Sequence, residues 1–180
     1  EHPDLVETSE YLAGDRGYED TKLFRRAWDQ YGIKPVVPIK SLWDDPGERR
    51  VLGDWTNVFH TQEGEVFCCC PKTAEYRAMV YGGFEKDRNT HKWRCPALAR
   101  GFECPGMSTC RVGKALRVSL DEDRRVFTPM SRTRRDWAKV YNKRTSVERV
   151  NSRLDVSFGM ERHLVRGWKK MWLRCGLSPI

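Results

Sequence analysis

Near the C-terminal end, the stretch YNKRTSVERVNSRLD sets Tyr141, Arg144 and Glu148 at helical spacing. On a single helix these side chains share one stripe and face a common target. Residues 131–180 hold 13 Lys or Arg against 4 Asp or Glu, whereas residues 1–45 hold 10 acidic against 6 basic side chains. A carboxylate among so many cations is either the partner in an i, i+4 pair with Arg144, beside a half-buried tyrosine, or a metal ligand set beside a polyanion. A second carboxylate, Asp15, follows the short apolar run YLAG. There it is either a helix cap or a group at the carboxyl end of a strand, where open α/β sheets place their chemistry. Together, Asp15 and Glu148 have the chemistry of a divalent-metal site for phosphoryl transfer, in which two ions about 4 Å apart clamp the attacking and leaving oxygens. They are therefore expected to meet in the fold although 133 positions separate them.

The elements that must position these groups are legible at both ends of the chain. After YLAG, Gly17 punctuates, and Leu23, Phe24, Ala27, Trp28 and Tyr31 recur at helical spacing until Gly32. The run KPVVPI then reads as a second strand, so residues 10–40 predict a parallel βαβ unit. From about Ser41 to Pro129 the periodicity weakens, with many Gly and Pro and short aromatic β-like pieces such as AMVYGGF and HKWRCP. Helical order returns after Pro129, with apolar positions at Trp137, Val140, Val147, Val150 and Leu154 and a stop at Gly159. A last helix places Leu164, Val165, Trp168, Met171, Trp172 and Cys175 on one broad face, with Cys175 a core residue. His163, at the start of that helix, suits a solvated or capping role, and Trp93 is expected to pack the middle segment.

Six of the seven cysteines fall between positions 68 and 110. Cys70 of the triple Cys68, Cys69 and Cys70, together with Cys95, Cys104 and Cys110, offers four thiolates for a tetrahedral structural zinc site. The spacing contains no paired C-x2-C knuckle, so reduced or opportunistically oxidised thiols are the competing account. The middle segment is expected to form a satellite that adds no strand to the βαβ sheet.

Two separated stretches, GDRGYEDTKLFRRAWDQYGIKPVVPI and YNKRTSVERVNSRLDVSFGMERHLVRGWKKM, resemble in order the second half of a bacterial insertion-sequence DDE transposase. That resemblance implies an α/β fold: a partial RNase H-like core formed by residues 1–45, a β-rich Cys-containing insertion over 46–129, and C-terminal core helices over 130–180. It implies Asp15 as the second catalytic carboxylate and Glu148 as the third, both ligands of Mg (or Mn). Tyr141 and Arg144 match a Tyr-x2-Arg-x3-Glu-x6-Lys signature and are expected to hold transposon-end DNA. Asp155 occupies the signature's lysine position, with Arg153 as the nearby cation that partly replaces it. Only Asp4 precedes Asp15, so the resemblance places the chain as a C-terminal portion that lacks the first Asp and is inactive alone. The partners implied are double-stranded DNA, as transposon ends and target, and a second copy of the chain in the transposition complex.

Composition bounds the alternatives. At 180 residues, 39% hydrophobic and +8 in net charge, the chain suits one domain, or one with an insertion, and an acidic partner. No apolar run approaches the roughly 20 residues that cross a bilayer, and the beginning lacks a basic-then-apolar leader, which leads to the expectation of a cytoplasmic, nucleoid-associated protein with no membrane partner. The rival functions are a non-catalytic DNA-binding remnant and a zinc-stabilised interaction module.

Overall fold

The N-terminal sequence pattern folds as the parallel unit that its spacing predicts. Strand β1 (Tyr11–Ala13) pairs in parallel with β2 (Lys34–Val36), Leu12 opposite Pro35. Between them run helix α2 (Thr21–Arg25) and a π-helical turn over Arg26–Gln30; a first helix, α1 (Pro3–Thr8), precedes β1. Asp20 caps α2, accepting from the N–H groups of Lys22 (2.6 Å) and Leu23 (3.2 Å). Gly32 ends the helical stretch at φ +66 with its N–H donating to the Trp28 carbonyl, a conformation that glycine adopts without steric cost. The computed structural model describes residues 3–41, 43–45, 47–158 and 166–177. It divides into two compact units, residues 1–141 and 142–180.

The rest of the first unit is β-rich. Strands β3 (Arg50–Val51), β4 (Val58–His60), β5 (Val66–Cys69) and β6 (Tyr76–Ala78) form an antiparallel sheet in that order. A second sheet joins β7 (Val80–Glu85), β8 (Thr90–Arg94) and β9 (Ala115–Ser119). Helix α3 (Pro96–Arg100) follows β8. Alternation explains β8 and β9: His91 and Trp93 of one strand, and Leu116 and Val118 of the other, turn inward while their neighbours are more exposed. The register of β7 shifts between Tyr81 and Gly83, where a Cβ on Gly82 would stand 3.2 Å from the Lys92 carbonyl.

These strands add nothing to the β1–β2 pair, yet they share its core. Trp28 and Ile39 pack in one apolar cluster with Leu52, Val58, Val66, Trp93 and Leu120. A two-stranded sheet cannot bury a face alone, and each fully covered Val or Leu contributes about 1.5–3 kcal/mol. Polar groups sew the same contact: Trp28 Nε1 donates to Asn89 Oδ1 (2.8 Å), and Arg124 pairs with Asp29 (3.0 Å). Trp93 is buried as its sequence position predicts.

The single helix expected through Tyr141, Arg144 and Glu148 is two helices. Helix α4 (Arg135–Asn142) ends before Lys143, and α5 (Thr145–Phe158) begins after Arg144. Thr145 Oγ1 donates to the Asn142 carbonyl (2.7 Å), and the N–H groups of Ser146 and Val147 reach back three residues to Lys143 and Arg144. These local bonds replace the four-residue ladder and start a new helix. The common helical stripe is thereby lost. Val147 and Val150, the apolar positions of the sequence pattern, are exposed on α5, as are Trp168 and Trp172 on α6 (Trp168–Leu177). Gly159, His163, Leu164, Val165 and the side chain of Cys175 lie outside the described residues.

Candidate functional site

Asp15 stands just beyond the carboxyl end of β1, in an exposed turn. Its Oδ1 accepts from the Gly17 N–H (2.8 Å) and caps the 3-10 turn Arg16–Tyr18. Gly17 is required for that arrangement, because a Cβ there would lie 2.9 Å from Asp15 Oδ1. Asp15 is thus a cap whose carboxylate faces solvent just beyond the end of a parallel strand.

What holds this turn is a residue that the sequence reasoning missed. Glu19, whose side chain is only 1% exposed, accepts from Arg125 at 2.7 Å and 2.9 Å and from the Lys40 N–H at 2.6 Å. It ties the Asp15 turn to the segment after β2 and to the chain after β9. Arg132 adds to the brace, donating to the carbonyls of Val37 (3.1 Å) and Val126 (2.8 Å). Burial pushes its guanidinium down to about 10, still cationic at neutral pH. The only sequence signal for Glu19 was its adjacency to the Asp20 cap; its partner lies 106 positions away.

In the second unit, Arg144 and Glu148 form the i, i+4 pair at 2.7 Å, with the Glu148 side chain half exposed. Glu148 lies in the first turn of α5, where the positive end of the helix dipole favours an anion. Arg153 borders the same open concavity of α5 as Glu148, together with Arg149 and Ser152. Tyr141 is placed on α4, in the first unit, stacked on Trp137 with ring centroids 5.0 Å apart. The structure thus places Glu148 and Arg153 on α5 and Arg144 in the turn just before it, paired with Glu148.

The thiols converge more clearly. Cys68, Cys69, Cys70, Cys95, Cys104 and Cys110 all border one cavity of about 190 Å³, and each is a free thiol. Cys70 and Cys104 approach to 3.9 Å between sulfurs. Thr73 and the backbone N–H groups of Lys72 and Thr73 hydrogen-bond the Cys70 sulfur and hold its thiol down at about 6, whereas burial pushes Cys68 up to about 11. Among the described residues, no three His, Cys, Asp or Glu side chains are already arranged to hold a metal ion. Asp15 and Glu148 nevertheless offer exposed carboxylate oxygens, the hard donors that Mg²⁺ selects. Among the described residues no helix is long and apolar enough to cross a membrane.

A family model described as "Transposase DDE domain" matches residues 2–178. No curated protein and no solved structure matches the chain.

Proposed function

The chain belongs to the transposase DDE domain family, and from that premise we propose that it serves metal-dependent cleavage and transfer of DNA strands at the ends of an insertion sequence. The observation that carries this reading is the family match across nearly the whole chain. Asp15 and Glu148 are the carboxylates assigned to Mg²⁺ or Mn²⁺, in a core of RNase H-like type. Bound there, the ions would activate water for nicking and then the freed 3′-hydroxyl for joining to target DNA. The chain's own residues have three tasks. Glu19 and Arg125 hold the Asp15 turn; Arg144 and Arg153 neutralise end phosphates; Tyr141 offers a ring against a base or sugar. On this reading, the described residues supply two of the acidic groups that the chemistry needs.

The Arg144–Glu148 ion pair favours a second reading, a DNA-binding helix whose carboxylate is only structural. Binding of element-end DNA by these 180 residues, measured across salt concentrations, separates the two. The catalytic reading expects Arg144→Ala to weaken binding and lower the salt slope by about one counterion. Glu148→Gln is expected to preserve or tighten binding, because it removes a charge that repels phosphate. If both substitutions leave DNA affinity unchanged and lower stability equally, by about 0.5 kcal/mol for so exposed a pair, the helix returns to the structural reading.

A further inference from the structure

We propose that the thiol cavity is a structural site for a soft divalent ion of the Zn²⁺ class, with Cys70 and Cys104 as its preset edge and Cys95 and Cys110 completing a tetrahedron. The site is separate from the carboxylates of the DNA chemistry and does not depend on that assignment.

Geometry supplies the first argument. A zinc–thiolate bond of roughly 2.3 Å in tetrahedral coordination separates its sulfurs by roughly 3.8 Å. The Cys70–Cys104 separation is 3.9 Å, which matches that edge and far exceeds a disulfide bond of about 2.05 Å. Two Cys-Pro turns meet to make it, Cys70-Pro71 and Cys104-Pro105-Gly106. They nest only because residue 106 is glycine: a Cβ there would stand 2.7 Å from Pro71 Cδ and 2.9 Å from Cys70 Sγ. Cys95 and Cys110 border the same cavity and are the thiols that the proposal turns toward the ion. Cys69 borders both this cavity and a second concavity lined by Thr56 and Arg111, and it is left out of the proposed ligand set.

The surroundings suit thiolates. Asn57 Nδ2 donates to Cys110 Sγ (3.3 Å), Arg77 borders the cavity, and N–H groups of the Cys-Pro turn point at Cys70. Such donors around the sulfurs are the second shell that an anionic tetrathiolate centre requires. The site would also answer a structural need. Cys70 follows β5 of one sheet, Cys95 follows β8 of the other, and Cys104 and Cys110 lie in residues 101–114, whose only regular element is the turn Met107–Thr109. A segment with so little secondary structure of its own gains order from a metal that staples it to both sheets. Each ligand thiol gives its proton to solvent as the ion binds.

The test uses the whole 180-residue chain purified under reducing conditions. The proposal expects one zinc per chain by elemental analysis, and a lower melting temperature with chelator that added Zn²⁺ restores. Cobalt added to the metal-free protein should show tetrahedral d–d bands and a sulfur-to-cobalt charge-transfer band. Cys69→Ser should keep both signals, and Cys104→Ser should lose them. Because Cys104→Ser could fail to fold, the cobalt spectrum of the unsubstituted chain is the arm that decides. Absence of charge transfer there, a Cys70–Cys104 disulfide in place of metal, or full metal retention by folded Cys104→Ser would each overturn the proposal.

Discussion

At His91, burial and two hydrogen bonds determine where the ring carries its proton. Nε2 donates to the Thr128 carbonyl (2.7 Å), so Nδ1 is the acceptor for the Tyr81 hydroxyl (3.0 Å). Burial lowers the ring to about 4, so it is neutral in the fold, whereas the unfolded chain protonates near 6.5. Between those values the unfolded state binds the extra proton. The contribution is therefore complete above about pH 6.5 and is lost as pH falls toward 4, a span of about 3 kcal/mol. Urea unfolding should show His91→Gln less stable than the parent at pH 7.5 by about 2 kcal/mol, with the gap narrowing by pH 4.5. A constant gap would refute the neutral-ring account. Asp15 shows how far single residues were legible: its position after a strand was plain, but its service as both cap and exposed carboxylate needed the Gly17 contact.

Among the elements, the Asp15 turn depends on contacts remote in sequence. Removing Glu19 leaves Arg125 without its carboxylate and the Lys40 N–H without an acceptor. Glu19→Ala should cost about 3 kcal/mol in chemical denaturation, as breaking a largely buried pair does. A loss below about 0.5 kcal/mol, the scale of surface pairs, would mean that the brace contributes little. The βαβ unit was legible because local apolar periodicity and the glycine at position 32 are short-range signals. The break after Asn142 was not, since Val140, Val147 and Val150 continue a helical period across it while Thr145 and the backbone bonds at 143–147 restart the helix. Likewise, the core shared by Trp28 and the later strands joins residues that no sequence window contains. The convergence of Cys70 and Cys104, 34 positions apart, was foreseen from thiol chemistry and not from spacing.

Across the whole molecule, an acidic N-terminal segment and a basic C-terminal one suit a division of labour between holding cations and holding phosphate. Asp15 belongs to the first compact unit and Glu148 to the second. The family match spans both. The mixed α/β class and the family were legible from two end motifs, whereas the arrangement of the middle strands depended on long-range packing. The most direct test is Mg²⁺-dependent nicking and joining of element-end DNA by the protein, compared with Asp15→Asn and Glu148→Gln. The account predicts that each substitution abolishes cleavage while DNA binding persists, and that chelation does the same to the parent until Mg²⁺ or Mn²⁺ is restored. Cleavage that survives either substitution, or that proceeds equally in chelator, would contradict it.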